Sequence, residues 1–254
     1  MRKPFVIKSR NLYPPKTGKA FKISRSQIEL FVECQRCFWL NHKRGIRRPS
    51  GPPFTINSLV DRLLKKEFDE HRAAHTVPPI LTENAIDAVP LDHPQMDEWR
   101  ANFRGVTHLH ESTGLLIAGA LDDVWQCPNG QCHVVDYKAT AKTGEVTLDA
   151  DWQDGYKRQM EVYQWLLRKQ GLDVSNTGYF LYCNGQDAER FGWQICFKPS
   201  VIPYVGDDTW IEPTLIKLKA CLTNNKIPVP PEDCEFCGYV AAFADKRIMR
   251  RSAA

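Results

Sequence analysis

The chain has 254 residues, of which 43% are hydrophobic, so it is long enough to bury a full core as one domain. The formal net charge of +4 is mild for a nucleic-acid binder, and the distribution of basic residues says more than their sum. We find no signal peptide and no apolar span long enough for a membrane helix, so we expect a cytoplasmic protein in a reducing compartment, without a membrane partner.

The first elements in chain order are a basic arm and a helix. Residues 1–22 contain many lysines without periodicity, which predicts a flexible arm. A helix is predicted to begin after Ser26 and to carry the cysteine pair Cys34 and Cys37. The basic run that follows is either a solvated surface or, as we favour, a patch that neutralises phosphates. The predicted nucleic-acid-binding residues of this patch are Lys43, Arg44, Arg47 and Arg48.

A β-hairpin that presents carboxylates is the most informative feature of the sequence. The apolar run 115–121 leads into Asp122. After the turn signal Pro128-Asn129-Gly130, the run 133–135 leads into Asp136. Two apolar runs around an Asn-Gly turn predict paired strands, with one carboxylate at the end of each run.

The residue types in this hairpin indicate metal chemistry. Asp136 and Lys138 are two residues apart, so their side chains leave the same face of a strand, where Asp122 can meet them. Two carboxylates and the backbone carbonyl of Tyr137 suit Mg²⁺ or Mn²⁺. A lysine beside them can orient an attacking water or offset charge in a phosphoryl transition state. Asp123 points to the opposite face and is expected to be solvent-exposed or to cap the backbone.

A helix follows over residues 152–167, in which apolar positions recur with helical spacing. Gln159 and Tyr163 are four residues apart and therefore share one face of this helix. Strands are then predicted over residues 177–183 and 191–197, and an amphipathic helix over residues 207–223. Three tryptophans are expected to be core aromatics and not base-stacking platforms: Trp39, Trp165 and Trp193.

The cysteines form a second set of candidate ligands. Of nine cysteines, four fall into two Cys-x-x-Cys pairs, Cys34 with Cys37 and Cys234 with Cys237. In a reducing compartment such pairs favour metal binding over disulfides. Four thiolates from the two ends of the chain could bind one Zn²⁺ or an iron–sulfur cluster.

The ordered set Gly119-x-x-Asp122, Asp136-x-Lys138 and Gln159-x-x-x-Tyr163 resembles the RecB-like branch of the PD-(D/E)XK nuclease superfamily. The resemblance covers roughly residues 22–240. It implies an α/β fold with a restriction-endonuclease-like core, in which helices flank a central mixed sheet, and a helical cap stapled by cysteines. We expect a single nuclease domain over residues 23–240, with the cap formed by residues 24–75 and 226–240. A basic tail would follow over residues 241–254.

The resemblance also implies roles for individual residues. Asp122, Asp136 and the Tyr137 carbonyl would hold Mg²⁺ or Mn²⁺. Gln159 and Tyr163 would help to position the nucleic-acid strand. A second helix over residues 56–72 often carries a metal-binding histidine in this family. Asp61 stands at that position here and is either a further ligand or a solvent-facing side chain.

Members of this family include CRISPR-associated exonucleases and recombination helicase-nucleases, whose [4Fe-4S] cluster takes one cysteine before the nuclease core and three after it. This chain has two before and two after, which leaves both an iron–sulfur cluster and zinc open.

The function implied by the resemblance is that of a metal-dependent DNA nuclease, an exonuclease on single-stranded DNA or duplex ends. Its partners would be DNA and a CRISPR-adaptation or repair complex. Two alternatives remain at this point: a catalytically silent nucleic-acid-binding accessory protein, and a zinc-stabilised interaction module.

Overall fold

The computed structural model describes residues 12–15 and 18–244. The predicted arm over residues 1–22 and the tail over residues 241–254 therefore lie largely outside the described residues. The chain divides into two compact units, which we describe separately. The carboxylate unit comprises residues 52–108 and 117–210. The cysteine unit comprises residues 1–51, 109–116 and 211–254, so far as these are described.

The described chain contains both strands and helices. The strands are β1 (Phe21–Ser24), β2 (Val89–Pro90), β3 (Val106–His110), β4 (Leu115–Gly119), β5 (Asp123–Gln126), β6 (Cys132–Thr140), β7 (Thr177–Gly185) and β8 (Phe197–Val205). The helices are α1 (Arg25–Glu33), α2 (Gln35–Trp39), α3 (Thr55–Ala74), α4 (Pro79–Glu83), α5 (Met96–Arg100), α6 (Asp154–Lys169), α7 (Ile211–Thr223) and α8 (Glu235–Ala244). None of the described helices combines the length and the hydrophobicity that a membrane span requires.

The carboxylate unit is built on a five-stranded sheet of order β2-β5-β6-β7-β8. Strands β6 and β7 are parallel, whereas the other neighbours are antiparallel, so the sheet is mixed. Helices α3 and α6 both contact β6. This arrangement confirms the predicted α/β fold with a mixed sheet flanked by helices, as in a restriction-endonuclease-like core.

Strand β6 is central to the sheet, and its side chains alternate between two chemical environments. Val135 and Tyr137 join a buried apolar cluster with Phe68 of α3 and Trp125 of β5. Asp136, between them in sequence, is fully buried and is bonded to α6. Because successive strand residues face opposite sides, one strand contributes both to the core and to the polar site.

The predicted hairpin is correct in its turn but wrong in its first strand. The strand that pairs with β6 is β5, and its register sets Asp123 opposite Val135. The apolar run 115–121 instead forms β4, which belongs to a separate three-stranded sheet of order β1-β4-β3. Residues 120–122 connect these two strands, so Asp122 lies immediately before β5.

The strand predicted over residues 191–197 is also wrong, since β8 begins only at Phe197. Gly192 and Trp193 both have positive φ angles, of 51° and 61°, and a run of left-handed residues cannot continue a strand. The Trp193 side chain is 92% exposed, which overturns its expected place in the core. Trp39 and Trp165 are buried as expected.

Two further differences concern helix starts. Helix α1 begins at Arg25, because Ser24 is its N-cap and Gln27 completes the capping box through a 2.6 Å bond to the Ser24 amide. Helix α7 begins at Ile211, four residues later than predicted. Helix α3 falls in the carboxylate unit, apart from the cysteines with which the sequence grouped it. The single-domain boundaries otherwise stay a prediction.

Candidate active site and cysteine cluster

Asp136 is the most deeply buried carboxylate of the predicted set, with none of its surface exposed. One oxygen, Oδ1, accepts a 2.7 Å hydrogen bond from Nε2 of Gln159 on α6. The other, Oδ2, is in an ion pair with the ammonium of Lys138. Gln159 also donates to the Tyr163 hydroxyl over 3.2 Å. The second and third sequence motifs therefore lie in one hydrogen-bonded group.

The Lys138 ammonium has an aromatic neighbour on α6. Its Nζ atom lies 4.3 Å from the centroid of the Tyr156 ring. A cation over an aromatic face is stabilised by the negative face of the ring. Together with the Asp136 carboxylate, this contact holds the lysine head group at the end of β6 instead of leaving it to move in solvent.

Asp122 is attached to the same strand through the backbone. The amide of Tyr137 donates to Asp122 Oδ2 over 3.0 Å. Since Tyr137 lies between Asp136 and Lys138, this bond brings the first motif to the second. Asp122 Oδ1 accepts a 3.0 Å bond from Nζ of Lys65 on α3.

Asp61 meets Asp122 through a lysine that the sequence interpretation missed. Lys65 Nζ lies 2.8 Å from Asp61 Oδ1 and bridges the two carboxylates. Burial and then the Asp122 charge raise the pKa of Asp61. Burial opposes the charged form of Lys65, but the two carboxylates outweigh it and raise the pKa of the ammonium. The i, i+4 spacing of Asp61 and Lys65 on a predicted helix was the signal available in the sequence.

Asp123 is buried, which overturns its expected exposure. Its Oδ1 lies 2.5 Å from Nη2 of Arg72 and 2.8 Å from Nη2 of Arg100. Its Oδ2 accepts a 2.7 Å bond from the Tyr137 hydroxyl. Burial and the Asp123 charge raise the Tyr137 pKa well above its usual value, so the phenol stays a donor. This buried group supports β5 and β6 directly behind Asp122.

Gly119, the glycine of the first motif, occupies a position where there is no room for a side chain. A Cβ atom at Gly119 would lie 2.6 Å from Cε1 of Tyr163, closer than packed atoms come. The Tyr163 ring therefore occupies the space that a side chain at position 119 would need. This close approach links the first motif to the third through packing.

A cavity of about 420 Å³ opens at this group of residues. Its charged lining comes from α3, α5, the residues before β5, and the end of β6. The charged residues that line it are Asp61, Lys65, Arg100, Asp122 and Lys138. Phe54, whose side chain is 74% exposed, stands at the start of α3 and lines the same cavity.

The oxygen donors of this cavity fit a hard divalent cation. The Lys65 ammonium, within hydrogen-bond distance of both Asp61 and Asp122, marks a position where the chain itself stabilises positive charge. Carboxylate oxygens are the ligands that Mg²⁺ and Mn²⁺ prefer. Among the described residues, Asp61, Asp122 and Asp136 do not form one compact ligand set: Asp61 and Asp122 share Lys65, while Asp136 is paired with Lys138.

The four predicted cysteines come together in the cysteine unit. Their sulfur atoms all lie within 4.8 Å of one another. Cys37 Sγ lies 3.8 Å from that of Cys234 and 3.7 Å from that of Cys237, and Cys34 Sγ lies 3.8 Å from Cys237 Sγ. Cys34 ends α1 and caps α2, while Cys237 lies on α8, so helix termini position the thiols.

Crowding and hydrogen bonds move the thiol pKa values apart. Burial and the neighbouring thiols raise the pKa of Cys34 and Cys237. Burial also opposes the Cys234 thiolate, but a bond from the Cys237 amide and bonds from the other thiols lower its pKa to about 7. One thiolate is thus favoured, and further ones need a cation beside them.

The residues of the predicted basic patch do not share one environment: some lie at the surface, and Arg48 contacts the cysteine cluster. Arg44 and Arg47 are exposed, and Lys43 donates to Asn225 Oδ1 over 3.3 Å. Arg48 is instead engaged at the cysteines, where its Nη2 lies 3.7 Å from Cys234 Sγ. Its guanidinium also forms an ion pair with Glu33. Phosphate binding by Arg48 would require it to leave these partners.

Comparison with known proteins identifies the family of this chain. Residues 54–242 match the family model of the PD-(D/E)XK nuclease superfamily. No curated protein matches the chain in sequence. The crystal structure of the protein SSO0001 is similar at 13% identity and a TM-score of 0.35, covering 88% of this chain and 82% of that one. A candidate exonuclease from Eubacterium rectale is similar at 15% identity and a TM-score of 0.40, covering 93% and 94%. At such scores neither similarity bears on function.

Proposed function

Because the chain belongs to the PD-(D/E)XK nuclease superfamily, we propose that it is a metal-dependent deoxyribonuclease whose active site is the carboxylate cavity. One observation carries this proposal. The Lys138 ammonium is in an ion pair with Asp136, and that carboxylate also accepts a hydrogen bond from Gln159. The residues of the family motifs thus converge at one end of β6.

The residues that would hold Mg²⁺ or Mn²⁺ are Asp122, Asp136, the backbone carbonyl of Tyr137 and Asp61. Such a cation, when bound, would lower the pKa of a coordinated water and offset charge on the phosphate. Asp61 belongs to this set because it shares the Lys65 ammonium with Asp122.

The chain's own residues would orient the reaction. Lys138 Nζ lies between Asp136 and the Tyr156 ring, and it would hydrogen-bond an attacking water or a phosphate oxygen. Gln159 donates both to the Asp136 carboxylate and to the Tyr163 hydroxyl, and would keep the carboxylate in one orientation. Asp123 and its two arginines hold β5 in register behind Asp122.

Exposed aromatic side chains beside the cavity support a single-stranded substrate. Phe54 lines the cavity with most of its ring in solvent. Trp152, which is 67% exposed, packs edge-on against Tyr156 with 5.5 Å between ring centroids, and Tyr156 contacts Lys138. Unpaired bases stack on such rings without sequence preference, whereas bases within a duplex cannot reach them.

We further propose that the enzyme is an exonuclease that acts on single-stranded DNA or duplex ends, closest in type to the CRISPR-associated RecB-like exonucleases. The order and spacing of the three motifs support the RecB-like subtype. A CRISPR-adaptation or repair complex is the partner that such an exonuclease would serve.

The first experiment is cleavage of end-labelled single-stranded and duplex DNA with Mn²⁺, for the intact protein and for Lys138→Ala and Asp136→Asn. We expect each substitution to reduce the rate about a hundredfold or more, as for loss of a charged group that acts on the transition state. Lys142→Ala, an exposed lysine four residues further on, should retain the full rate.

If the intact protein binds DNA but does not cut it, the accessory-protein alternative replaces the nuclease. If Lys138→Ala cuts as fast as the intact protein, the active site lies elsewhere. If neither cleavage nor DNA binding is found, the interaction module is the better interpretation.

The substrate assignment is tested by Phe54→Ala combined with Trp152→Ala. We expect about tenfold weaker binding of a single-stranded oligonucleotide in Ca²⁺ buffer, since stacking contributes roughly 1–3 kcal/mol per base. An oligonucleotide of abasic residues should bind both proteins equally. Trp193→Ala, which removes a more exposed tryptophan from the same unit, is the control. Equal weakening on abasic DNA would rule out stacking.

A further inference from the structure

We propose that Cys34, Cys37, Cys234 and Cys237 bind a single zinc ion, and not a [4Fe-4S] cluster. The distances between their sulfur atoms carry this inference. It does not depend on nuclease activity, because all four ligands belong to the cysteine unit.

The sulfur positions match the edge lengths of one small coordination tetrahedron. A zinc–thiolate bond of about 2.3 Å in tetrahedral geometry places the four sulfurs about 3.8 Å apart. The three separations given above are 3.7, 3.8 and 3.8 Å, and all four sulfurs lie within 4.8 Å of one another. A single ion at the centre would therefore lie close to bonding distance from every thiolate, with adjustments of the sulfurs of about 1 Å or less.

A four-iron cluster needs a wider set of ligands. Each cysteine then binds a different iron at a corner of the cube, so the four sulfurs stand outside it, about 6 Å apart or more. Sulfurs within 4.8 Å leave no room for such a cube. The two Cys-x-x-Cys pairs would have to move apart by some 2 Å or more to admit it.

Hydrogen-bond donors beside the sulfurs can stabilise the negative charge of four thiolates bound to one divalent ion. The Cys37 amide points at Cys34 Sγ over 3.4 Å. Arg48 Nη2 approaches Cys234 Sγ at 3.7 Å while Glu33 holds the same guanidinium. Four thiolates and one Zn²⁺ leave a net charge of about −2, which these donors partly offset.

The ligand set implies a structural zinc site. All four coordination positions are filled by protein, so no position is left for water or substrate. The site joins the α1–α2 junction to the start of α8. Zinc would therefore fix two distant segments of the chain in one unit and take no part in chemistry.

The test is the metal content of protein purified without oxygen, measured by elemental analysis together with acid-labile sulfide and the visible spectrum. We expect one zinc per chain that resists dialysis, iron below a tenth of that, and no broad absorption near ~400 nm. About four irons per chain with equal sulfide would overturn the proposal. So would a protein that, stripped and refolded with Zn²⁺, fails to bind one equivalent.

Two variants separate this zinc from metal in the carboxylate cavity. Asp136→Asn should keep its zinc, since that residue lies in the other unit. Cys37→Ser should lose it, and if this variant does not fold, replacement of zinc by Co²⁺ in the intact protein gives a second readout. Cobalt in four thiolates gives the intense visible bands of tetrahedral coordination, and their absence would also refute the site.

Discussion

The two units gather negative ligands in opposite ways. In the carboxylate unit the chain supplies its own cations, because Lys65 bridges Asp61 and Asp122 and Lys138 pairs with Asp136. In the cysteine unit four thiols crowd together, and the cation that contacts them, Arg48, is shared with Glu33. A site with built-in cations keeps its shape without metal, whereas crowded thiolates do not.

From this difference we expect two kinds of metal use. A lysine that already balances the carboxylates makes a divalent ion exchangeable, which suits a cation that must admit substrate and water. Burial and the neighbouring thiols oppose the ionisation of Cys34 and Cys237, so the cluster needs a tightly held ion before both can be thiolates. We therefore expect the cysteine metal to act on stability and the carboxylate metal on activity.

The largest effect should follow Cys37→Ser. Because structural zinc sites contribute on the order of 10 kcal/mol, we expect the cysteine unit to lose roughly 5 kcal/mol or more of its free energy of unfolding. Thermal unfolding with and without a strong chelator measures it, and the chelator should mimic the substitution.

The matched control is Cys196→Ser, an exposed cysteine outside the cluster. It should melt as the intact protein does. A melting curve for Cys37→Ser that also coincides with that of the intact protein would mean that the thiols hold no stabilising metal.

The next effect concerns the buried pair of arginines in the carboxylate unit. Asp123→Asn leaves Arg72 and Arg100 facing a neutral amide, and breaking a buried ion pair costs about 3–5 kcal/mol. Asp69 contacts the same two arginines but is half-exposed. Asp69→Asn should therefore lower the free energy of unfolding by about 1 kcal/mol or less. Urea unfolding compares the two, and equal midpoints would contradict the ranking.

A third prediction concerns the loss of stability at acidic pH. Burial, and then the Arg47 charge, lower the pKa of His42 in the cysteine unit from 6.5 to about 4. Between those values the unfolded chain binds more protons, so stability is full above pH 6.5 and falls as the pH approaches 4. The loss should reach about 3 kcal/mol.

Melting temperatures measured from pH 7 to pH 4.5 would show this loss, and His42→Gln should remove the part that depends on the imidazole. His75→Asn replaces an exposed histidine with a residue that tolerates its left-handed backbone, and it should leave the pH profile unchanged. An unaltered profile in His42→Gln would assign the acid sensitivity to other groups.

The smallest effect should follow Lys65→Met. Without divalent ions the variant brings two uncompensated carboxylates together, at a cost of about 1 kcal/mol for these partly exposed groups. Mn²⁺ should then stabilise the variant more than it stabilises the intact protein, because it replaces the missing ammonium. Lys66→Met, on the exposed side of α3, is the control. Equal stabilisation by Mn²⁺ in all three proteins would exclude Asp61 and Asp122 as a shared cation site.

Local signals in the sequence predicted much of how the candidate residues are grouped. Asp136 and Lys138 share a side of β6 because strand residues alternate, and Gln159 and Tyr163 share a side of α6 because of helical spacing. The two Cys-x-x-Cys pairs were recognisable from spacing alone. The structure places each of these residues with its expected neighbours.

Features that depend on tertiary contacts were not predictable. Asp123 resembled a surface residue because its arginine partners lie 51 and 23 residues away in sequence. The run 115–121 resembled half of a hairpin. Its strand β4 instead lies next to β1, a pairing between segments far apart in sequence that the run alone does not reveal. The spacing of Lys65 from Asp61 was visible in the sequence, but its bond to Asp122 depends on the tertiary contact that brings Asp122 beside α3.

The order of chain synthesis gives the cysteine cluster a further consequence. Cys37 and Cys234, whose sulfurs lie 3.8 Å apart, are separated by 197 residues. At roughly 5–20 residues per second, the first pair leaves the ribosome about 10 to 40 s before the second. The last residue of the carboxylate unit, Trp210, emerges before Cys234 does. A ribosome-bound chain can therefore complete its sheet before the four cysteines are together, and under the proposed zinc assignment metal binding would be the last step of maturation.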